Sequence, residues 1–154
     1  MKRTPVVAVL AIAALLLASS TAGAISIRAA GKQYLRDVAS ADAALKAFDS
    51  EIHAWTNSTA DAEGERQAAS VLKALIRARE SLLSQSWPHS VNGDVKFICE
   101  EDISSLEEDL REIDGNSMLG NGAFQLTFSA DSRTLDLDAF YLRRELGLPS
   151  SRSL

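Results

Sequence analysis

Apolar residues recur at alternating steps of four and three between positions 34 and 55. The residues that form this stripe are Tyr34, Val38, Ala41, Leu45, Phe48, Ile52 and Trp55. A seven-residue repeat sustained for three heptads predicts a helix that packs against its neighbours at a shallow crossing angle, as in coiled coils and up-and-down bundles. The polar run Asn57-Ser58-Thr59 predicts the end of this helix.

A second helix is predicted to begin near Asp61 and to end before Pro88. Acidic residues in its first turns suit the positive end of the helix dipole. The residue before a proline is disfavoured in the α conformation, so the helix should end at about Ser86 or Trp87. Its apolar positions are Leu72, Leu75, Ile76, Leu82 and Leu83.

The third helix carries an apolar stripe with one acidic residue beside it. The stripe consists of Val95, Cys99, Leu106, Leu110 and Ile113. Asp102 falls close to this stripe, which predicts partial burial with Arg77 or Arg79 as its partner. We interpret Cys99 as a small buried hydrophobe rather than a reactive thiol.

The last part of the chain fits two patterns. Phe124, Leu126 and Phe128 alternate as in a strand, yet the apolar positions from there onwards also fit a helix. The conformation of residues 117–130 therefore stays open, and a helix is predicted for residues 133–146.

The predicted end of the domain is sharp. Gly147, Leu148 and Pro149 match a glycine helix cap followed by an apolar residue and a proline. Residues 150–154 should form a disordered tail. Four helical segments joined by short loops, each with one apolar face, predict an all-α domain over residues 28–149, arranged as an antiparallel up-and-down four-helix bundle.

Residues 1–27 precede this domain and have the three parts of an export signal. A basic pair is followed by an apolar run over residues 6–18, and small residues then lead to a predicted cleavage after Ala24. An uncleaved anchor formed by residues 4–27 stays open, because this uncharged segment reaches about 36 Å as a helix and the hydrocarbon core is roughly 30 Å thick.

In both alternatives the N-terminus lies inside and the domain is extracytoplasmic. The domain is then either secreted after cleavage or held at the cytoplasmic membrane by residues 4–27. An uncleaved segment would continue almost directly into the first helix, with Gly31 as the predicted break.

Charge and cysteine content narrow the class of protein. Residues 1–24 contain two of the 16 Lys and Arg residues and none of the 21 Asp and Glu residues, so the remaining 130 residues carry a net charge of −7. This charge argues against nucleic acid or anionic lipid as a partner of the domain. The single cysteine excludes an intrachain disulfide, so packing alone must stabilise the fold.

The sequence offers two weak signals for a metal. Asp49 and His53 are spaced i, i+4 and form the weak candidate pair of ligands, but two ligands do not make a site, and the Glu-x-x-His pairs of di-iron bundles are missing. The acidic residues of the third helix are Glu100, Glu101, Asp102, Glu107, Glu108, Asp109, Glu112 and Asp114. We interpret them as a solvated helix face, since a calcium loop needs a glycine turn. The prediction is therefore no metal and no cofactor.

Three short motifs carry a resemblance to a known group of proteins. Tyr34-Leu35 opens the first helix, and Ser86-Trp87-Pro88 forms a turn that Val91 and Asp94 follow. The third motif is Leu142-Arg143-Arg144-Glu145-Leu146-Gly147-Leu148-Pro149. In these motifs the chain resembles uncharacterised actinobacterial envelope proteins, exported or lipid-anchored, with a short helical mature domain. The resemblance implies a fold and a compartment but no activity, and the missing cysteine near Ala24 predicts no lipidation.

The predicted function follows mainly from missing motifs. The chain has no Gly-x-Ser-x-Gly elbow and no glycine-rich phosphate loop, so we expect no enzyme. The leading hypothesis is an exported cell-envelope protein whose helical domain binds a small ligand or an envelope protein partner, both of unknown identity. The alternatives are a membrane-tethered, sensor-type ligand-binding bundle, and a metal- or calcium-binding helical protein.

Overall fold

The computed structural model describes residues 25–54, 62–113, 122–151 and 153–154. Within these ranges the chain is all-helical and no strand occurs, which confirms the predicted fold class. The helices are α1 (Ile27–Ala54), α2 (Ala62–Leu83), α3 (His89–Phe97), α4 (Ile103–Glu112) and α5 (Gly122–Glu145). A single π-helical turn, Ile98–Asp102, joins α3 to α4 without a break, so the described chain forms four helical segments.

The heptad stripe of α1 lies in the core as predicted. Tyr34, Val38, Ala41, Phe48 and Ile52 are buried, and α1 packs mainly on α2. Trp55, the last residue of the predicted stripe, lies outside the described residues, as does the run Asn57-Ser58-Thr59 that was predicted to end the helix.

Gly31 is part of α1 and does not break it, contrary to the prediction. A β-carbon at this position would lie 2.9 Å from the carbonyl oxygen of Leu146 and 3.1 Å from Cδ2 of Leu148. The glycine therefore serves a close approach between the start of α1 and the end of α5.

The π turn shifts the buried face of the third helical segment by one residue. The backbone N–H of Ile103 donates to the carbonyl oxygen of Ile98, five residues back, where an α-helix would use the fourth. Ser104 Oγ donates to the carbonyl oxygen of Cys99 at 3.1 Å and so satisfies a backbone acceptor at this turn. The predicted stripe from Val95 to Ile113 is buried, and Asp102 is buried with it.

The open question at residues 117–130 is answered for residues 122–130, which are helical, while 117–121 lie outside the described residues. Phe124 and Phe128 are buried, and Leu126 is 75% exposed. Phe128 contacts Phe48 edge-on, with ring centroids 5.3 Å apart. Helical rather than strand periodicity therefore decides which of these residues enter the core.

The glycine cap predicted at the end of α5 is confirmed. Gly147 has a φ of +66°, and the N–H of Leu148 donates to the carbonyl oxygen of Arg143 at 2.9 Å. Residues 150–154 were predicted to be a disordered tail, but Ser153 and Leu154 are buried. The difference has a physical cause, because Arg143 Nη1 donates to the carbonyl oxygen of Leu154 at 3.1 Å and the leucine side chain joins the core.

The predicted signal, anchor and cleavage after Ala24 fall on residues 1–24, which lie outside the described residues. Within the part of the chain that the structure describes, no helix has both the length and the apolar composition needed to cross a bilayer.

Substitution by alanine should have opposite effects on stability at Gly31 and at Gly93. Gly31→Ala should lower the free energy of unfolding by about 1–2 kcal/mol, because the new methyl group must displace backbone atoms at Leu146. Gly93→Ala in α3 is the matched control, since nothing lies within 4 Å of its β-position. There the gain in helix propensity should raise stability by about 0.5–1 kcal/mol. Urea unfolding measures both changes, and equal effects of the two substitutions would contradict the close approach.

Candidate functional site

Three pairs of carboxyl groups follow the contact between α5 and the segment formed by α3, the π turn and α4. Each pair is within hydrogen-bonding distance across the two helical segments. The pairs are Asp94 with Glu145, Asp102 with Asp138, and Asp109 with Asp131. We name this row the acidic seam. Residue numbers rise along one side and fall along the other, as they do for helices that run in opposite directions.

The spacing of the acidic seam depends on the π turn. On α5 the carboxyl groups recur every seven residues, which is about two α-helical turns and returns to nearly the same face. On the other side the first interval is eight residues, from Asp94 to Asp102. The π turn lies in this interval and contributes the extra residue. An uninterrupted helix would place Glu101 on the seam instead, whereas the observed Glu101 is exposed.

In each of the two inner pairs the aspartate on the third helical segment is buried, and no positively charged side chain among the described residues is hydrogen-bonded to its Oδ2. Asp102 is 6% exposed and Asp109 is 9% exposed. No hydrogen-bond donor among the described residues contacts Oδ2 of either side chain, and the group opposite each is a second carboxyl. Each pair must therefore share a proton or hold a cation to avoid placing two negative charges together.

Burial is the largest cause of a raised pKa at both positions. It raises the pKa of Asp102 to about 7, with further contributions from the charge and hydrogen bond of Asp138 and the charge of Glu101. It likewise raises the pKa of Asp109 to about 7, with Asp131 as the second cause. Loss of solvent and a like charge both disfavour the ionised form, so the two effects add.

The prediction that Arg77 or Arg79 would pair with Asp102 is corrected by the structure. Arg79 instead binds Glu107 through two hydrogen bonds of 2.8 and 3.0 Å, and Arg111 Nη2 donates to Glu107 Oε2 at 2.9 Å. The π turn directs Asp102 towards α5, while Glu107 reaches the arginine of α2. Glu107 is 1% exposed, so the ion pair that links α2 to α4 uses a different acidic residue from the one expected.

A groove opens at one end of the acidic seam, between α3 and α5. Its volume is about 220 Å³, and it is lined by Asp94, Phe97, Ile98, Asp138, Tyr141, Leu142 and Glu145. Phe97 and Tyr141 are 52% and 51% exposed, so both aromatic side chains are accessible to a ligand in solution. Carboxylates beside exposed aromatic rings are the groups that attract an organic cation, by charge and by cation–π contact.

The residues proposed from sequence as metal ligands are not brought into a cluster. Asp49 lies on the exposed side of α1, and the side chain of His53 lies outside the described residues. Across the described ranges, no group of three or more His, Cys, Asp or Glu side chains is arranged to hold a metal ion. Cys99 is buried, as its place in the apolar stripe predicted, and burial raises its pKa to about 12.

Asp49 also borders a second cavity, of about 340 Å³, between α1, α5 and the C-terminal residues. Lys46 and Arg133 line it together with acidic side chains, and Lys46 Nζ lies 2.7 Å from Asp42 Oδ2. Its charges are therefore mixed and partly neutralised within the protein, unlike those of the groove.

The residues of α5 that complete the seam and the groove were missed from sequence. Their signal was the seven-residue interval of Asp131, Asp138 and Glu145. That interval becomes meaningful only if the segment from 122 onwards is helical and lies against the third helical segment.

The acidic seam predicts that stability falls as pH rises towards neutrality. Asp102 and Asp109 hold a proton up to about pH 7 in the folded state, against an ordinary pKa of 3.8. The folded chain thus binds more protons than the unfolded chain between about pH 4 and 7. Across this range the free energy of unfolding should fall by about 1–3 kcal/mol, a value reduced because Asp131 and Asp138 are partly exposed.

Urea unfolding at pH 5, 6, 7 and 8 measures this slope. Asp109→Asn should reduce the slope and raise stability at pH 8, because the amide donates a hydrogen bond to Asp131 without a charge. Glu80→Gln, on the exposed side of α2, removes the same charge and should leave the slope unchanged. A wild-type protein that gains stability from pH 5 to pH 8 would contradict the prediction.

No family model, curated protein or solved structure matches this chain. The likeness to actinobacterial envelope proteins therefore rests on its sequence motifs and stays a prediction.

Proposed function

We propose that this chain is a non-enzymatic, exported cell-envelope protein whose helical domain binds a small organic cation. The groove at the end of the acidic seam is the observation that carries the proposal. Export is inferred from the sequence of residues 1–27. The domain is proposed to be an antiparallel up-and-down four-helix bundle, an arrangement supported by the short connections and by the reversed order of the paired carboxyl groups.

The groove supports a cationic ligand on three grounds. Asp94 and Glu145 are exposed at its edge, so a ligand in solution reaches them without displacing the core. Phe97 and Tyr141 offer ring surface that a hydrated metal ion would not use but an alkylammonium group would. The net charge of −7 over residues 25–154 also attracts cations towards the domain.

The size of the groove indicates a small ligand. A volume of about 220 Å³ is below the range of roughly 300–1,000 Å³ that drug-sized ligands occupy. Simple amines and quaternary ammonium compounds fit this space. A long polymer such as a nucleic acid does not, and the acidic surroundings would repel it.

The groove also suits the membrane-tethered alternative. Gly31, near the start of α1, approaches Leu146, the neighbour of Glu145 in sequence. If residues 4–27 remain as an anchor, the groove would therefore lie close to the membrane surface. A secreted form and an anchored form use the same groove, so the proposal does not depend on cleavage after Ala24.

Choline and its neutral isostere 3,3-dimethyl-1-butanol provide the test. Choline should shift the amide NMR signals of residues 94, 97, 141 and 145 in a saturable manner, and the isostere should bind at least about tenfold more weakly because it has no charge. Tyr141→Leu and Glu145→Gln should each weaken choline binding several-fold. Glu80→Gln is the charge-matched control and should not.

Two results would contradict the proposal. Equal binding of choline and the isostere would indicate an apolar pocket without charge selectivity. Turnover of ester, peptide or glycan substrates by the purified protein would show an enzyme.

A further inference from the structure

In the two inner pairs of the acidic seam, facing carboxyl groups repel each other when both are ionised, and a ligand in the groove would not remove this repulsion. Asp102 and Asp109 are more than nine-tenths buried, and each has a buried oxygen that no donor among the described residues contacts. Each faces a carboxyl group of α5, Asp138 or Asp131. When both members of a pair ionise, their repulsion pushes α5 away from the π turn and α4 unless a positive charge lies between them.

We propose that each inner pair binds a hard divalent cation, Ca²⁺ or Mg²⁺, which bridges α5 to the third helical segment. One site uses Asp102 and Asp138, and the other uses Asp109 and Asp131. Carboxylate oxygens are the preferred ligands of these ions. The inference goes beyond the organic-cation groove and does not require it, although Asp138 borders both.

The number of protein oxygens sets the expected affinity. Two carboxylates offer up to four oxygens, whereas Ca²⁺ takes six to eight and Mg²⁺ takes six. Asp131 and Asp138 are only partly buried, so water can reach the outer side of each pair and complete the shell. Because no third carboxylate among the described residues joins either pair, we expect dissociation constants of about 0.1–10 mM, close to those of extracellular calcium modules.

The charges that act on Asp102 and on Asp109 favour a cation. Asp138, Glu101 and Asp131 act on Asp102, and all three are acidic. The groups that act on Asp109 are Asp131, Glu112 and Glu108, again all acidic. Among the described residues, neither set includes a lysine or an arginine. A proton and a divalent cation therefore compete for the same oxygens, and the cation gains the advantage as pH rises above neutrality.

Thermal unfolding of the full-length chain in a neutral detergent tests the proposal. At pH 8, 10 mM CaCl₂ or MgCl₂ should raise the unfolding midpoint by about 2–8 °C relative to NaCl of equal ionic strength. At pH 5 the same salts should raise it by less than about 1 °C, because protons occupy the pairs. Mn²⁺, used as a paramagnetic probe at pH 8, should broaden the amide signals of residues 102, 109, 131 and 138 first.

Matched variants test whether the inner pairs cause the response of the unfolding midpoint to divalent salts. Asp131→Asn/Asp138→Asn should unfold at a higher temperature than the wild type at pH 8 without divalent salt and should lose the response to CaCl₂. Asp94→Asn/Glu145→Gln removes the same number of charges from the exposed outer pair and should retain the response. If the double inner variant does not fold, the two single variants and the Mn²⁺ broadening of the wild type provide the same comparison.

Two results would overturn the inference. One is a midpoint at pH 8 that divalent salts do not move while acidification alone raises it, which would show a shared proton and no metal. The other is a response that persists in the inner variant, which would place the cation elsewhere. Neither result affects choline binding at the groove, so the two proposals fail separately.

Discussion

The helical register between α5 and the third helical segment is the constraint on which the candidate site depends. One extra residue in the π turn Ile98–Asp102 moves Asp102 onto the buried face and leaves Glu101 in solvent. Without that residue the eight-residue interval from Asp94 to Asp102 would not match the seven-residue interval on α5. A local distortion of a helix thus aligns carboxyl groups along the whole contact, in keeping with the frequent placement of π turns at functional sites.

The buried acidic residues have two opposite electrostatic environments. Glu107 faces α2 and is neutralised by Arg79 and Arg111, so it links two helices at neutral pH. Asp102 and Asp109 face α5 and meet only other acidic groups, so their burial disfavours the folded state whenever they are ionised. If stability were the only requirement, Asp102 and Asp109 would be expected to have positive partners as Glu107 does. The difference is expected where local stability is given up for a site that accepts a positive charge.

The groove and the inner pairs both lie at the contact between α5 and the third helical segment, but they differ in how far they are buried. The groove is open to solvent and combines exposed rings with carboxylates, which suits an organic cation. In the inner pairs a buried carboxyl group faces a second carboxyl group, which suits a proton or a hard metal ion. The close approach at Gly31 joins the start of α1 to the end of α5, so the start of α1 lies near the groove end of the seam.

The sequence by itself determined where most helices lie, which residues of the α1 stripe and of the third helical segment enter the core, and where α5 ends. These features depend on apolar periodicity and on local signals such as Gly147, which neighbours in the chain specify. The ambiguous strand-like pattern at Phe124 to Phe128 was decided by packing, because Phe128 contacts Phe48 of α1.

The tertiary structure alone decided the pairing of the carboxyl groups, the partner of Arg79, the groove and the burial of Leu154. Each of these depends on contacts between separate elements and on the extra residue of the π turn. A periodic pattern shows that a helix has a face, but only the packed neighbour shows which charges that face meets.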